Sequence, residues 1–146
     1  MLSKFKRIIV LVVAFVLVAF SADNAYAVSD ERIVPVIQPV GSTYISNARA
    51  SLTISSGGVA KPAVAIIGKA GTTKVTATMK LQRYDIHANV WADVKNWNGS
   101  SNSSALTMNK SYSLPRKGSY RCWVTARVYY NSNSETVTTH SGSVEY

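Results

Sequence analysis

Two runs of strict alternation constrain this chain more than anything else in it. Along residues 118–130, GSYRCWVTARVYY, the apolar Tyr120, Cys122, Val124, Ala126, Val128 and Tyr130 alternate with Arg121, Trp123, Thr125, Arg127 and Tyr129. Along residues 74–84, Val75, Ala77, Met79 and Leu81 alternate with Lys74, Thr76, Thr78, Lys80, Gln82 and Tyr84. Successive side chains of a strand point to opposite faces, so each run predicts a strand with one buried and one solvent-facing side. A helix needs a 3.6-residue period, which neither run has. The apolar half of each run must therefore be covered by a second layer.

The remaining segments read the same way. Ala50, Leu52 and Ile54 alternate with Ser and Thr, and that run stops at Ser55-Ser56-Gly57-Gly58. Val59 to Ile67 reads as a second strand. Pro62 within it predicts an edge or a bulge, because proline has no N–H to give to a ladder. IHAN at 86–89 reads as a loop. Trp91 to Trp97 reads as a shorter strand of mixed parity, although its Trp91, Val94, Trp97 spacing also suits one helical turn. NGSSNSS at 98–104 reads as a polar loop. Leu106, Met108 and Tyr112 mark a fifth strand, residues 118–130 a sixth, and residues 135–145 a last one after the NSNS turn.

Seven strands in about 100 residues predict an all-β fold, an immunoglobulin-like two-sheet antiparallel sandwich. LPRKGSY, 114–120, places a Tyr two residues ahead of Cys122, where such sandwiches carry a tyrosine corner. An ordinary turn before a buried Tyr fits the same residues. Cys122 is the one Cys of the chain and cannot close an internal disulfide. Its place on the apolar side predicts a buried, space-filling thiol, the alternative being half of an intermolecular bridge.

The N-terminal residues belong to a different class. Lys4, Lys6 and Arg7 precede an apolar run, Ile8 to Phe20, and Ala25-Tyr26-Ala27 follows as an A-x-A cleavage site. As a helix the run spans about 20 Å, short of the roughly 30 Å hydrocarbon core. Residues 1–27 are therefore expected to be a cleaved signal peptide, with Ala25 and Ala27 at the cleavage site. Residues 28–43, with Pro35, Pro39 and Gly41, are expected to be an extended leader, and residues 44–146 the sandwich domain. The product is expected to be secreted and released, without stable membrane insertion after cleavage, and retained at the cell wall by charge if at all.

The segment 1–27 holds three of the 16 basic residues and one of the 7 acidic ones, so the remainder keeps a net charge of +7. A secreted protein this basic is drawn to polyanions such as wall polymers, anionic lipid surfaces or acidic glycans. Charge that only maintains solubility is the plainer alternative. Nucleic acid suits the charge but not the compartment.

No catalytic pattern stands out. His87 and His140 lie in no nucleophile or metal motif, and H-E-x-x-H, G-x-S-x-G and C-x-x-C are absent from the sequence. Asp85 and Asp93 would make a glycosidase pair only across a cleft that the sequence does not reveal. The expectation is a non-enzymatic protein with no metal and no cofactor. The candidate ligand-binding residues are instead the outward ones of the two long strands: Lys74, Lys80, Gln82 and Tyr84 beside Arg121, Trp123, Arg127 and Tyr129. Aromatic rings stack on sugars and cations meet phosphate or carboxylate. The rival reading is that aromatics simply favour strands, that Lys and Arg guard the sheet against aggregation, and that the leader covers Trp123. The function expected is recognition of an anionic or glycan surface, on the cell wall or a host. The alternatives are a cationic effector acting on membranes and a structural protein self-associating through its strand edges, so the oligomeric state stays open.

Several stretches together resemble an uncharacterised family of small secreted immunoglobulin-like proteins of Gram-positive bacteria. They are Tyr44 to Ser46, Ser51 to Gly57, Thr78 to Arg83, Ser103 to Tyr112, Gly118 to Cys122 and Ser134 to Thr138. The resemblance runs over nearly the whole of the expected domain and implies secretion and a β-sandwich. It brings no catalytic or binding residue with it. Where such proteins often carry a Cys near the second strand, this chain has Lys61-Pro62.

Overall fold

A computed structural model describes residues 42–146. The expected signal peptide with Ala25 and Ala27, and residues 28–41 of the expected leader, lie outside the described residues. Nine strands and no helix form among the described residues: β1 (Ile45–Ile54), β2 (Val59–Gly68), β3 (Thr72–Asp85), β4 (Val90–Ser101), β5 (Ala105–Asn109), β6 (Tyr112–Ser113), β7 (Ser119–Tyr130), β8 (Asn133–His140) and β9 (Val144–Glu145). They make two sheets. One runs β1-β2-β5, with β6 also on β2; the other runs β4-β3-β7-β8, with β9 also on β7. Every pairing is antiparallel.

The alternation does what it predicts. Val75, Ala77, Met79 and Leu81 of β3 are buried, as are Tyr120, Cys122, Val124, Ala126 and Val128 of β7. They face Ala48, Ala50 and Leu52 of β1, Ala60, Val64 and Ile66 of β2, and Leu106 and Met108 of β5, in one continuous core. Tyr130 stacks on Tyr44 with ring centres 4.9 Å apart. Trp97 of β4 meets Tyr112 of β6 edge-on at 6.4 Å, linking the two sheets.

Two predicted strands are each split in two, and both breaks have a local cause. Pro62 does not lie on an edge: β2 is the interior strand of its sheet, and Pro62 pairs with Leu52 of β1 on one side. Its carbonyl accepts from Lys110 N at 3.1 Å on the other side, but it has no N–H to return. The partner strand is interrupted there, between β5 and β6. The second break, between β8 and β9, lies opposite Cys122. Ser141 bridges it, its N–H donating to Cys122 O at 2.8 Å and its Oγ accepting from Cys122 N at 2.9 Å.

β4 departs furthest from the sequence reading. It is a full twelve-residue strand and absorbs Asn98 to Ser101 of the expected polar loop. Its mixed parity comes from a bulge: Leu81 pairs with Lys95 and Gln82 with Asp93, leaving Val94 as the extra residue. The extra residue exchanges the two faces. Trp97 pairs with Met79 and joins the core side, whereas Trp91 pairs with Tyr84 on the outer side.

Cys122 is fully buried, and burial pushes its thiol up to about 12. It fills core space as a small hydrophobe, and no intermolecular bridge can reach it in the folded chain. Tyr120 is buried beside it and donates its hydroxyl to Arg116 O at 2.6 Å, back across the turn that leads into β7.

Candidate functional site: the outer face of the β4-β3-β7-β8 sheet

The two sheets present different outer faces. On β1-β2-β5 the outward positions include Arg49, Ser51, Thr53, Lys61, Ala63 and Ala65, mostly small side chains. On β4-β3-β7-β8 the eight residues singled out from the sequence all fall on the outer side. Register places Lys74 beside Tyr129, Lys80 beside Trp123 and Gln82 beside Arg121, with Arg127 beside Thr76.

They do not form one site. Lys80, Gln82, Tyr84, Arg121 and Trp123 gather at one end, and Lys74, Arg127 and Tyr129 at the other. Tyr129 lies six positions beyond Trp123 in β7, roughly 20 Å of strand. Thr78, Thr125 and Thr138 lie in a row between them, across β3, β7 and β8. A shallow depression of about 460 Å³ opens there, lined among others by Thr76, Thr78, Asn98, Thr125, Arg127 and Thr136.

The first group is a connected network. Lys80 Nζ lies 2.7 Å from Asp93 Oδ2, and Gln82 Nε2 donates to Asp93 Oδ1 at 2.8 Å. Arg121 Nε donates to Gln82 Oε1 at 2.9 Å. The Arg121 guanidinium lies 4.3 Å from the centre of the Trp91 ring and 4.6 Å from that of Trp123. Trp123 in turn stacks on His140, 5.5 Å away and 5° from parallel, while Tyr84 packs obliquely on Trp91 at 5.3 Å. Gln82 is consequently buried at an outward position. The second group is looser. Lys74 Nζ and Arg127 Cζ lie 5.7 and 5.8 Å from the centre of the Tyr129 ring, and both cations are exposed.

Three members of the network are absent from the sequence-predicted set: Trp91, Asp93 and His140. Trp91 was hidden by the Val94 bulge, since no parity argument places it without that extra residue. His140 follows from the hairpin. A two-residue turn at Asn131-Ser132, with Asn131 at φ 53°, sets Tyr130 against Asn133 and so Trp123 against His140.

The carboxyls of the glycosidase pair are otherwise engaged. Asp85 caps the β3–β4 turn and accepts from Ala88 N and His87 N, which hold its carboxyl below the usual value. The bonds from Gln82 and Lys80 do the same for Asp93. A general acid needs the opposite shift. Among the described residues no group of three or more His, Cys, Asp and Glu is placed to hold a metal ion. The chain matches no protein-family model and no curated protein.

Proposed function

We propose that this chain is a secreted, non-enzymatic binding module of immunoglobulin-like architecture. Its outer β4-β3-β7-β8 face recognises an anionic or glycan polymer, on the cell wall or on a host. The charge accounting on that face carries the reading. Asp93 neutralises Lys80, the one salt bridge between described residues. Lys74, Arg121 and Arg127 stand against aromatic rings with no carboxylate partner among the described residues. Cations next to rings suit a polymer that offers both charged groups and sugar faces. The Thr-lined depression, bordered by Arg127 of the second group, supplies hydroxyls between Trp123 and Tyr129.

The architecture is argued from the Tyr120 hydroxyl bonded to main chain upstream, two residues before the Cys position, and from two packed antiparallel sheets. The fourth strand pairs with the third, not with the sheet of the first two as in constant-type immunoglobulin domains. Secretion is argued from residues 1–27 and from the resemblance to small secreted proteins of Gram-positive bacteria.

The test is co-sedimentation of the purified protein with Gram-positive cell walls, intact or stripped of anionic polymer, at low and high salt. Retention on intact walls that falls on stripping and on adding salt is expected. Absence of retention on either wall would remove the wall reading and direct the search to host glycans.

A further inference from the structure

Arg121 is held as a merely solvated arginine is not. Its guanidinium lies between Trp91 and Trp123, and its Nε is fixed by Gln82. Gln82 is itself anchored on Asp93, whose second oxygen is occupied by Lys80. The carboxylate of this network is thus paired with Lys80 and makes no ion pair with the arginine. A guanidinium has five N–H donors, of which Nε–H is one. The other four, on the two terminal nitrogens, have no hydrogen-bond partner among the described residues. They are not sealed off either: the buried side-chain polar atoms without partners are Asn47 Oδ1 and Thr72 Oγ1. The fork therefore opens to solvent with its plane already set. A pre-set fork loses little freedom when it binds. Partial burial also disfavours the charged form of Arg121, a cost that a counter-ion on its open edge would relieve.

We propose that Arg121 is an oxyanion-binding residue whose terminal nitrogens take two oxygens of one phosphate or carboxylate group, with Trp91 and Trp123 as flanking walls. The inference rests on the proposed recognition of an anionic polymer and names the residue that reads its charged group. Lys80 is the poorer candidate, because its charge is already paired with Asp93 and an ammonium lacks the planar fork. Lysine at position 121 would keep the charge and lose the two-pronged geometry.

The purified protein is titrated with inorganic phosphate and, separately, with acetate, against chloride at constant ionic strength. The arginine Nε–H resonances and tryptophan fluorescence are followed. The Arg121 resonance should shift saturably with at least one oxyanion and not with chloride, while Arg49 on the other sheet stays still. A response to phosphate points to a phosphodiester polymer and a response to acetate to an acidic glycan. Arg121→Lys should weaken the responding oxyanion roughly tenfold, the loss of one charge-assisted bidentate contact. An Arg121 resonance that does not move, or an Arg121→Lys protein that titrates like the parent, overturns the site. Walls that retain the protein while Arg121 ignores both anions would remove this site and leave polyanion recognition standing. A saturable response at Arg121 in a protein that no wall retains would do the reverse.

Discussion

Tyr120 shows what one hydroxyl does in this fold. Its ring belongs to the core, and its O–H satisfies the Arg116 carbonyl at the corner before β7. Tyr120→Phe keeps the packing and removes the bond, so it should cost about 1 kcal/mol, read as a lower urea midpoint with unchanged slope. Cys122, its neighbour two residues on, should resist thiol reagents in the native protein and react only as the chain unfolds, because burial raises its thiol to about 12. Rapid labelling in native buffer would contradict its placement. Glu135 acts at the start of the domain. Burial works to raise its carboxyl, but bonds from Tyr44 N, Ser42 Oγ and Thr43 N outweigh it and leave it below the ordinary 4.5. A carboxyl depressed by folding contributes stability above its unfolded value and loses it as pH falls through the folded one. The thermal-midpoint advantage of the parent over Glu135→Gln should therefore shrink from about pH 5 downward, and a constant advantage would show that these bonds do not depress the carboxyl. Trp123→Ala is a poor probe of binding, since it also removes the stack on His140 and one wall of Arg121. Arg127→Ala, on an exposed side chain, is the cleaner one.

At the scale of elements, the long alternating strands were readable and the interrupted ones were not. β3 and β7 bury the expected side chains because nothing breaks their parity between Val75 and Leu81 or between Tyr120 and Val128. β4 escaped the same reasoning because parity is defined only within an unbroken ladder, and Val94 breaks it. The residues that pair Asn98 to Ser101 with β3 are small and polar, so composition reported a loop where backbone pairing makes a strand. The candidate site inherited this limit. Its members on the two regular strands were legible, while Trp91 and Asp93 on β4, and His140 across a hairpin, needed register. Deleting Val94 tests the bulge. One segment of β4 must then turn over, taking either Trp97 out of the core or Trp91 off the Arg121 guanidinium. A stability loss of about 2 kcal/mol or more is expected, with altered tryptophan fluorescence. A variant of parental stability and spectrum would show that the extra residue does not set the two faces.

For the whole molecule, a charged surface differs from a charged protein. The chain is basic throughout, and Arg49 and Lys61 sit on the outer face of the β1-β2-β5 sheet among small residues. Simple attraction to polyanions would depend on the total alone. The proposed recognition by the β4-β3-β7-β8 face would depend instead on where the charge lies, beside Tyr129, Trp91 and Trp123. The direct measurement compares wall retention of two variants with the same net charge, Lys74→Glu/Arg127→Glu on one face and Arg49→Glu/Lys61→Glu on the other, both checked for parental unfolding midpoints. Loss of retention in the first and near-parental retention in the second is the predicted result. Equal losses in both would reduce the interaction to net charge and contradict recognition by this face.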